Sequence, residues 1–158
     1  MNTSAPDDGT DRAWMAHALD AARAAGERGE VPVGAVVISE GRLVAAAGNA
    51  SITECDPTGH AEVRALRAAA TALGNHRLGG AALYTTVEPC AMCMGAAIQA
   101  RIGLLVYGCA DPKAGAAGSV MDLAWHERLN HRFAVRSGVA AEEAAALLRA
   151  FFVSRRRS

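Results

Sequence analysis

Short apolar runs rich in β-branched residues alternate with alanine-rich stretches of helical period along this chain, and that alternation leaves few folds open. Val33 to Ser39 is one such run, and after the turn pair Glu40-Gly41 an apolar run resumes over Arg42 to Ala47, which predicts a β-hairpin. Upstream, Trp14, Met15, Ala18, Leu19 and Ala22 recur at three- and four-residue steps, so residues 11–28 read as a helix ending near Gly26 and Gly29. Asn49 to Gly59 is polar, contains Asp56-Pro57 and reads as a loop. A second helix is expected from Gly59 to about Leu73, stopped by Gly74 and Asn75. Ala81 to Thr86 is a third strand. Pro89 biases Glu88 away from helical angles and suits a first helical turn, so a helix is expected over Cys90 to Ala100. Gly103 to Tyr107 reads as a fourth strand, 108–119 as a glycine-rich loop, Val120 to Leu129 as a short helix and Phe133 to Arg136 as a fifth strand. Ala140 to Arg155 is a terminal helix with Leu147, Leu148, Phe151 and Phe152 on its apolar side. Helices alternating with strands after an opening hairpin predict a three-layer α/β/α domain around a five-stranded mixed sheet.

With 158 residues there is room for one core. The composition, 51% hydrophobic and 20% charged, is that of a globular chain rather than a disordered one. No unbroken apolar stretch is long enough to cross a membrane, and Met1 to Asp11 is acidic and lacks the apolar run of a signal peptide. Residues 1–10 are read as a flexible tail, 11–158 as a single domain, and the chain as cytoplasmic. The 16 basic and 16 acidic residues cancel but are segregated: residues 129–158 hold six arginines against Glu142 and Glu143. A neutral total therefore leaves room for an anionic partner at one end, or for a merely solvated arginine tail.

Cys90-Ala91-Met92-Cys93 puts two thiols three residues apart, on one face of a helix and in its first turn. The positive end of the helix dipole favours thiolate there. His60 opens the preceding helix. Helices entered from the same ends of neighbouring strands bring their N-termini together, and one imidazole with two thiolates suits zinc. No fourth ligand has motif-like spacing; Cys55 lies in an irregular loop and Cys109 follows a strand, so an open site is expected. Glu62 is two residues after His60, about 200° around the helix, poorly placed as a ligand but able to reach water at the metal and relay its proton. Taken alone, Glu62 is an ordinary first-turn glutamate pairing with a cap at Gly59.

The pattern His60-Ala61-Glu62 followed by Pro89-Cys90-Ala91-Met92-Cys93 is the H-x-E…P-C-x-x-C signature of zinc nucleobase deaminases. From Trp14 to Arg157 the chain resembles the bacterial tRNA-specific adenosine deaminase family, within the cytidine/deoxycytidylate deaminase superfamily. The resemblance rests on these motifs and on Val31 to Val36, Asp56 to Glu62, Asp111 to Ser119, Leu129 to Arg132, and Phe151-Phe152 before the basic terminus. It implies a cytidine-deaminase-like fold and deamination of adenosine to inosine at the wobble position of a tRNA anticodon. Zinc would be held by His60, Cys90 and Cys93, and Glu62 would pass the water proton to N1 of adenine. Asn49, Ala61 and Asp111 would meet the target nucleoside, and the partners would be the anticodon stem-loop and a second copy of the chain. Phe151, Phe152, Arg155, Arg156 and Arg157 are candidate RNA contacts through stacking and phosphates, with core or dimer packing an equal reading for the two phenylalanines. The family often has paired histidines near Trp125, which departs from that pattern. The alternatives are a small-molecule guanine or cytosine deaminase, and a zinc-stabilised interaction module closed by Cys55 or Cys109.

Overall fold

Five strands form one mixed sheet in the order β2-β1-β3-β4-β5, in a computed structural model that describes residues 9–157. The strands are β1 (Gly34–Ser39), β2 (Arg42–Gly48), β3 (Ala82–Val87), β4 (Leu104–Cys109) and β5 (Ala134–Arg136). The helices are α1 (Thr10–Glu27), α2 (Ala61–Leu73), α3 (Ala91–Ala100) and α4 (Ala141–Arg157). β1 runs antiparallel to β2 and β3, whereas β3, β4 and β5 are parallel. Both faces of the sheet are covered, which is why the strands read as nearly continuous apolar runs. Val37, Leu83, Leu105 and Val135 pack with Leu66, Met94 and Ile98 of α2 and α3. Val36, Ile38, Tyr84 and Val106 pack with Met15, Leu19 and Ala144 of α1 and α4. The fold is thus the expected three-layer α/β/α sandwich.

α1 lies so close to β1 that a Cβ on Gly34 would sit 2.0 Å from the Ala18 carbonyl oxygen. α1 is also fixed at its N-terminal end. Asp11 is buried and accepts the Tyr84 hydroxyl at 2.7 Å and Arg136 Nε and Nη2 at 2.7 and 2.9 Å. One carboxylate so ties the first turn of α1 to β3 and β5. Burial works against its ionisation, but the Arg136 and Tyr84 donors outweigh that and hold Asp11 below the ordinary carboxylate range.

Two expectations are corrected. Val120 to Leu129 forms turns, not a helix. Its backbone is committed elsewhere: the Val120 N–H donates to Gly115 O and the Gly118 N–H to Met121 O, Ala117 and Asp122 form an isolated bridge, and Asp122 Oδ1 takes the Ala124 N–H. Asp122 thus supplies its own local acceptor, an alternative to helix that short polar side chains offer. At the C-terminus, the arginines expected as a tail are the last turn of α4, which runs to Arg157. Of the expected tail at 1–10, only Gly9 and Thr10 fall among the described residues, and Thr10 already opens α1.

Candidate metal centre and active site

The sheet register brings three loops to one edge. Gly34 pairs with Gly48, Ala35 with Thr85, and Val87 with Cys109, so β2, β3 and β4 all end on the same side. The segment after β2 leads to the start of α2, and the segment after β3 leads directly into α3. His60 is the N-cap residue of α2 and Cys90 that of α3, each in an extended conformation. The two helix starts therefore converge.

His60 Nδ1 lies 3.6 Å from Cys90 Sγ and 3.5 Å from Cys93 Sγ. The three donor atoms lie within 4.8 Å of one another, and no further His, Cys, Asp or Glu joins them among the described residues. Ligands at 2.3 Å (sulfur) and 2.0–2.1 Å (nitrogen) from a tetrahedral ion would stand about 3.5 Å apart. The donor set and its spacing fit zinc with one position left open. Against the cost of burial, the Cys93 thiol, the first-turn amides of Met92 and Cys93 and the His60 imidazole hold Cys90 at about 5, while the same pairing and burial push Cys93 up. A thiolate at this helix start is the metal-binding form. Cys55 is exposed in its loop and Cys109 is half-buried at the end of β4; neither is in the group.

Glu62 sits in the first turn of α2, buried, with its carboxyl against the Cys93 thiol. Burial is the main force on it and pushes it up to about 7. With His60 rather than Gly59 as the cap residue, Glu62 is the second helical residue, so the capping pair with Gly59 does not form.

Asn49 follows β2, and its Oδ1 accepts the Ala61 N–H at 2.8 Å. Ala61 is fully buried and its N–H is committed to this bond. Asp111 lies in the loop after β4; its Oδ1 accepts the Lys113 and Ala114 N–H groups and so folds its own turn. The C-terminal candidates lie on α4. Phe151 is half-buried, edge-on to Phe152 with ring centroids 5.4 Å apart. Arg155 stacks over Phe151 at 4.8 Å and donates to Gly29 O at 2.6 Å, so it is committed to the protein itself. Arg156 and Arg157 are exposed. Near Trp125, itself exposed, His126 Nδ1 accepts the Arg128 N–H, and His131 lies 2.8 Å from Ile102 O.

Two buried carboxylates at this edge escaped the sequence reading. Glu30 accepts the Ile52 and Thr53 N–H groups and the Thr53 hydroxyl, pinning the loop before His60. Glu88 accepts the N–H groups of Asp111, Ala117 and Ser119, and the Ser119 hydroxyl. Neither carries a periodic signal: each is one acid at the end of a segment, Glu30 before Val31-Pro32-Val33 and Glu88 after Val87, and only the returning loop marks it.

Residues 10–156 match the family model of the MafB19-like deaminases. The tRNA-specific adenosine deaminase of Bacillus subtilis is 45% identical over 142 residues, spanning 90% of this chain and 88% of that protein. A solved tRNA:A34 deaminase, studied for A-to-I editing at the wobble position of transfer RNA, superposes with a TM-score of 0.84 at 46% identity, covering 86% of this chain and 99% of that one. A guanine deaminase from Nitrosomonas europaea superposes with a TM-score of 0.76 at 27% identity, covering 97% and 87%. The chain belongs to the MafB19-like deaminases and to the tRNA-specific adenosine deaminase family.

Proposed function

We propose that this protein hydrolyses adenosine to inosine at the wobble position of a tRNA anticodon and releases ammonia. The observation that carries the reaction is the His60, Cys90 and Cys93 group with a buried carboxyl, Glu62, beside it and no fourth ligand among the described residues. For the substrate, the 45–46% identity to tRNA-acting relatives favours RNA over the free purine of the 27% identical guanine deaminase.

His60, Cys90 and Cys93 would hold zinc, which when bound polarises a water and brings its pKa to about 7. The Glu62 carboxyl is pushed up by burial, as suits a group that must both accept and return a proton. It takes one proton from the attacking water and delivers it to N1 of adenine as the water oxygen joins C6. It then hands the second proton to the amino group, so that the C6–N bond breaks and ammonia leaves. Asn49 spends its Oδ1 on Ala61, and its amide nitrogen has no partner among the described residues, which leaves a donor for the nucleoside. Ala61, fully buried, would act through its bond to Asn49, and Asp111 would shape the loop beside the nucleotide path. A base in an anticodon loop is already partly unstacked, which makes it a cheaper substrate than a duplex.

Arg156, Arg157 and Phe152 would meet the RNA, with Arg155 and Phe151 supporting them. The active species would be a homodimer in the cytoplasm. Large exposed apolar side chains on segments flanking the site, Ile52, Met92, Val120, Met121 and Trp125, support a covered surface there. Among the described residues no helix is long and apolar enough to cross a membrane.

The test is incubation with an anticodon stem-loop carrying adenine at the wobble position, beside free adenosine, guanine and cytosine. Inosine from the stem-loop alone is the expected result; xanthine or uracil from free base would make the protein a small-molecule deaminase.

A further inference from the structure

The loop after β4 is wrapped around one buried side chain. Glu88 is 2% exposed, and its two oxygens receive the Asp111 N–H at 3.0 Å, the Ala117 N–H at 3.0 Å, the Ser119 N–H at 3.0 Å and the Ser119 hydroxyl. Its own N–H donates to Cys109 O at 2.9 Å, and the next residue, Pro89, gives its carbonyl to the Ala116 N–H at 2.8 Å. Residues 109–119 are therefore fastened, at five points, to the dipeptide that immediately precedes Cys90. The fit is close: a Cβ on Gly115 would lie 2.2 Å from the Glu88 carboxyl carbon. Gly115 has no positive φ, so contact with Glu88, rather than backbone strain, is what excludes a side chain there.

We infer that Glu88 is a positioning residue that fixes the Asp111–Ser119 loop against the start of α3 as one wall of the substrate path, so that the metal centre and the wall keep a single relative geometry. Glu88 touches neither ligand atoms nor substrate. It acts through the loop, and three of its four donors are backbone groups, so only a carboxylate, with acceptors on both oxygens, satisfies them. An amide in its place turns one acceptor into a donor aimed at N–H groups. Misplacing a substrate-positioning wall by about 1 Å costs on the order of 10²-fold in rate. The inference rests on the deaminase reading above.

Four variants of the whole chain test it: Glu88→Gln, Gly115→Ala, Glu88→Ala and the Glu88→Ala/Gly115→Ala double variant. Zinc content, affinity for a catalytically inert stem-loop with purine at the wobble position, and kcat/KM on the adenine stem-loop are read together. Glu88→Gln and Gly115→Ala should each retain one zinc per chain, bind the inert stem-loop about tenfold or more weakly, and lose on the order of 10²-fold in kcat/KM. The double variant should lose no more than Glu88→Ala alone, because the methyl then occupies the vacated space. Wild-type affinity and kcat/KM in Glu88→Gln and Gly115→Ala, with only a lower Tm, would overturn the inference and leave Glu88 a purely structural carboxylate. Loss of zinc in Gly115→Ala would also overturn it, placing the effect in the metal centre. Failure of the unmodified protein to make inosine from the stem-loop, with zinc bound, would instead overturn the deaminase reading and the inference with it.

Discussion

The Asn49 carboxamide oxygen accepts the Ala61 N–H at 2.8 Å and so supplies the cap that His60 withholds from its own helix. An N-cap side chain ordinarily turns back to the first-turn amides. The His60 imidazole instead faces two sulfurs, and the Asn49 side chain, twelve positions before Ala61, closes the first of the orphan donors. This links the hairpin to the metal centre. Asn49→Ala should cost about 1 kcal/mol of stability in urea unfolding, and should lower kcat/KM by more than that loss of folded protein explains. Unchanged kinetics would remove Asn49 from the nucleoside's contacts.

Glu62→Gln should keep the fold and one zinc per chain. Deamination should fall by 10²–10⁴-fold, the usual contribution of a positioned acid–base group. Because the wild-type carboxyl is buried and pushed up to about 7, the neutral amide should unfold at no lower a temperature at pH 8, where the carboxylate bears its full burial cost. Loss of metal would make Glu62 a ligand.

Asp11 gives the fold a dependence on acid. Its folded-state pKa lies below the ordinary value of 3.8, so its contribution is complete above that value and is lost as pH falls through the lower, folded value. The urea midpoint should drop below about pH 4 in the wild-type protein and less steeply in Asp11→Asn. At pH 7, Asp11→Ala should cost roughly 3 kcal/mol, since it leaves Arg136 without its partner.

The last turn of α4 offers a measurement independent of chemistry. If Arg156 and Arg157 each meet a phosphate, replacing both with alanine should reduce the slope of log affinity against log salt by about 2. Arg155→Ala, which removes a contact to Gly29 and Phe151, should act on α4 docking more than on the slope. An unchanged slope in the double variant would take the terminus out of the RNA interface.

The sheet, the order of its strands and helices, and the donors at the two helix starts were legible because each rests on a local pattern: β-branched runs, turn pairs, and thiols three residues apart. The connection at 120–129 was not. Its conformation is set by the bonds of Val120 and Leu123 to the Gly115 and Ala116 carbonyls and by the Asp122 turn. Long-range carboxylate anchors carry no periodicity. Glu30 and Glu88 look like ordinary charges until the loops that return to them are seen. Arg155 is similar: three arginines in a row suggest a solvated tail, but the helix continues through them and turns one onto Gly29.

The proposed chemistry needs one imidazole and two thiolates to bind one divalent ion and leave a position for solvent. X-ray absorption at the zinc edge, on the protein and on a Cys55→Ala/Cys109→Ala variant, tests it directly. One zinc per chain is expected in both, with two sulfur neighbours near 2.3 Å and two lighter ones, nitrogen and oxygen, near 2.0–2.1 Å. A third sulfur neighbour, a site that loses its metal in the double variant, or no stoichiometric metal at all would contradict it.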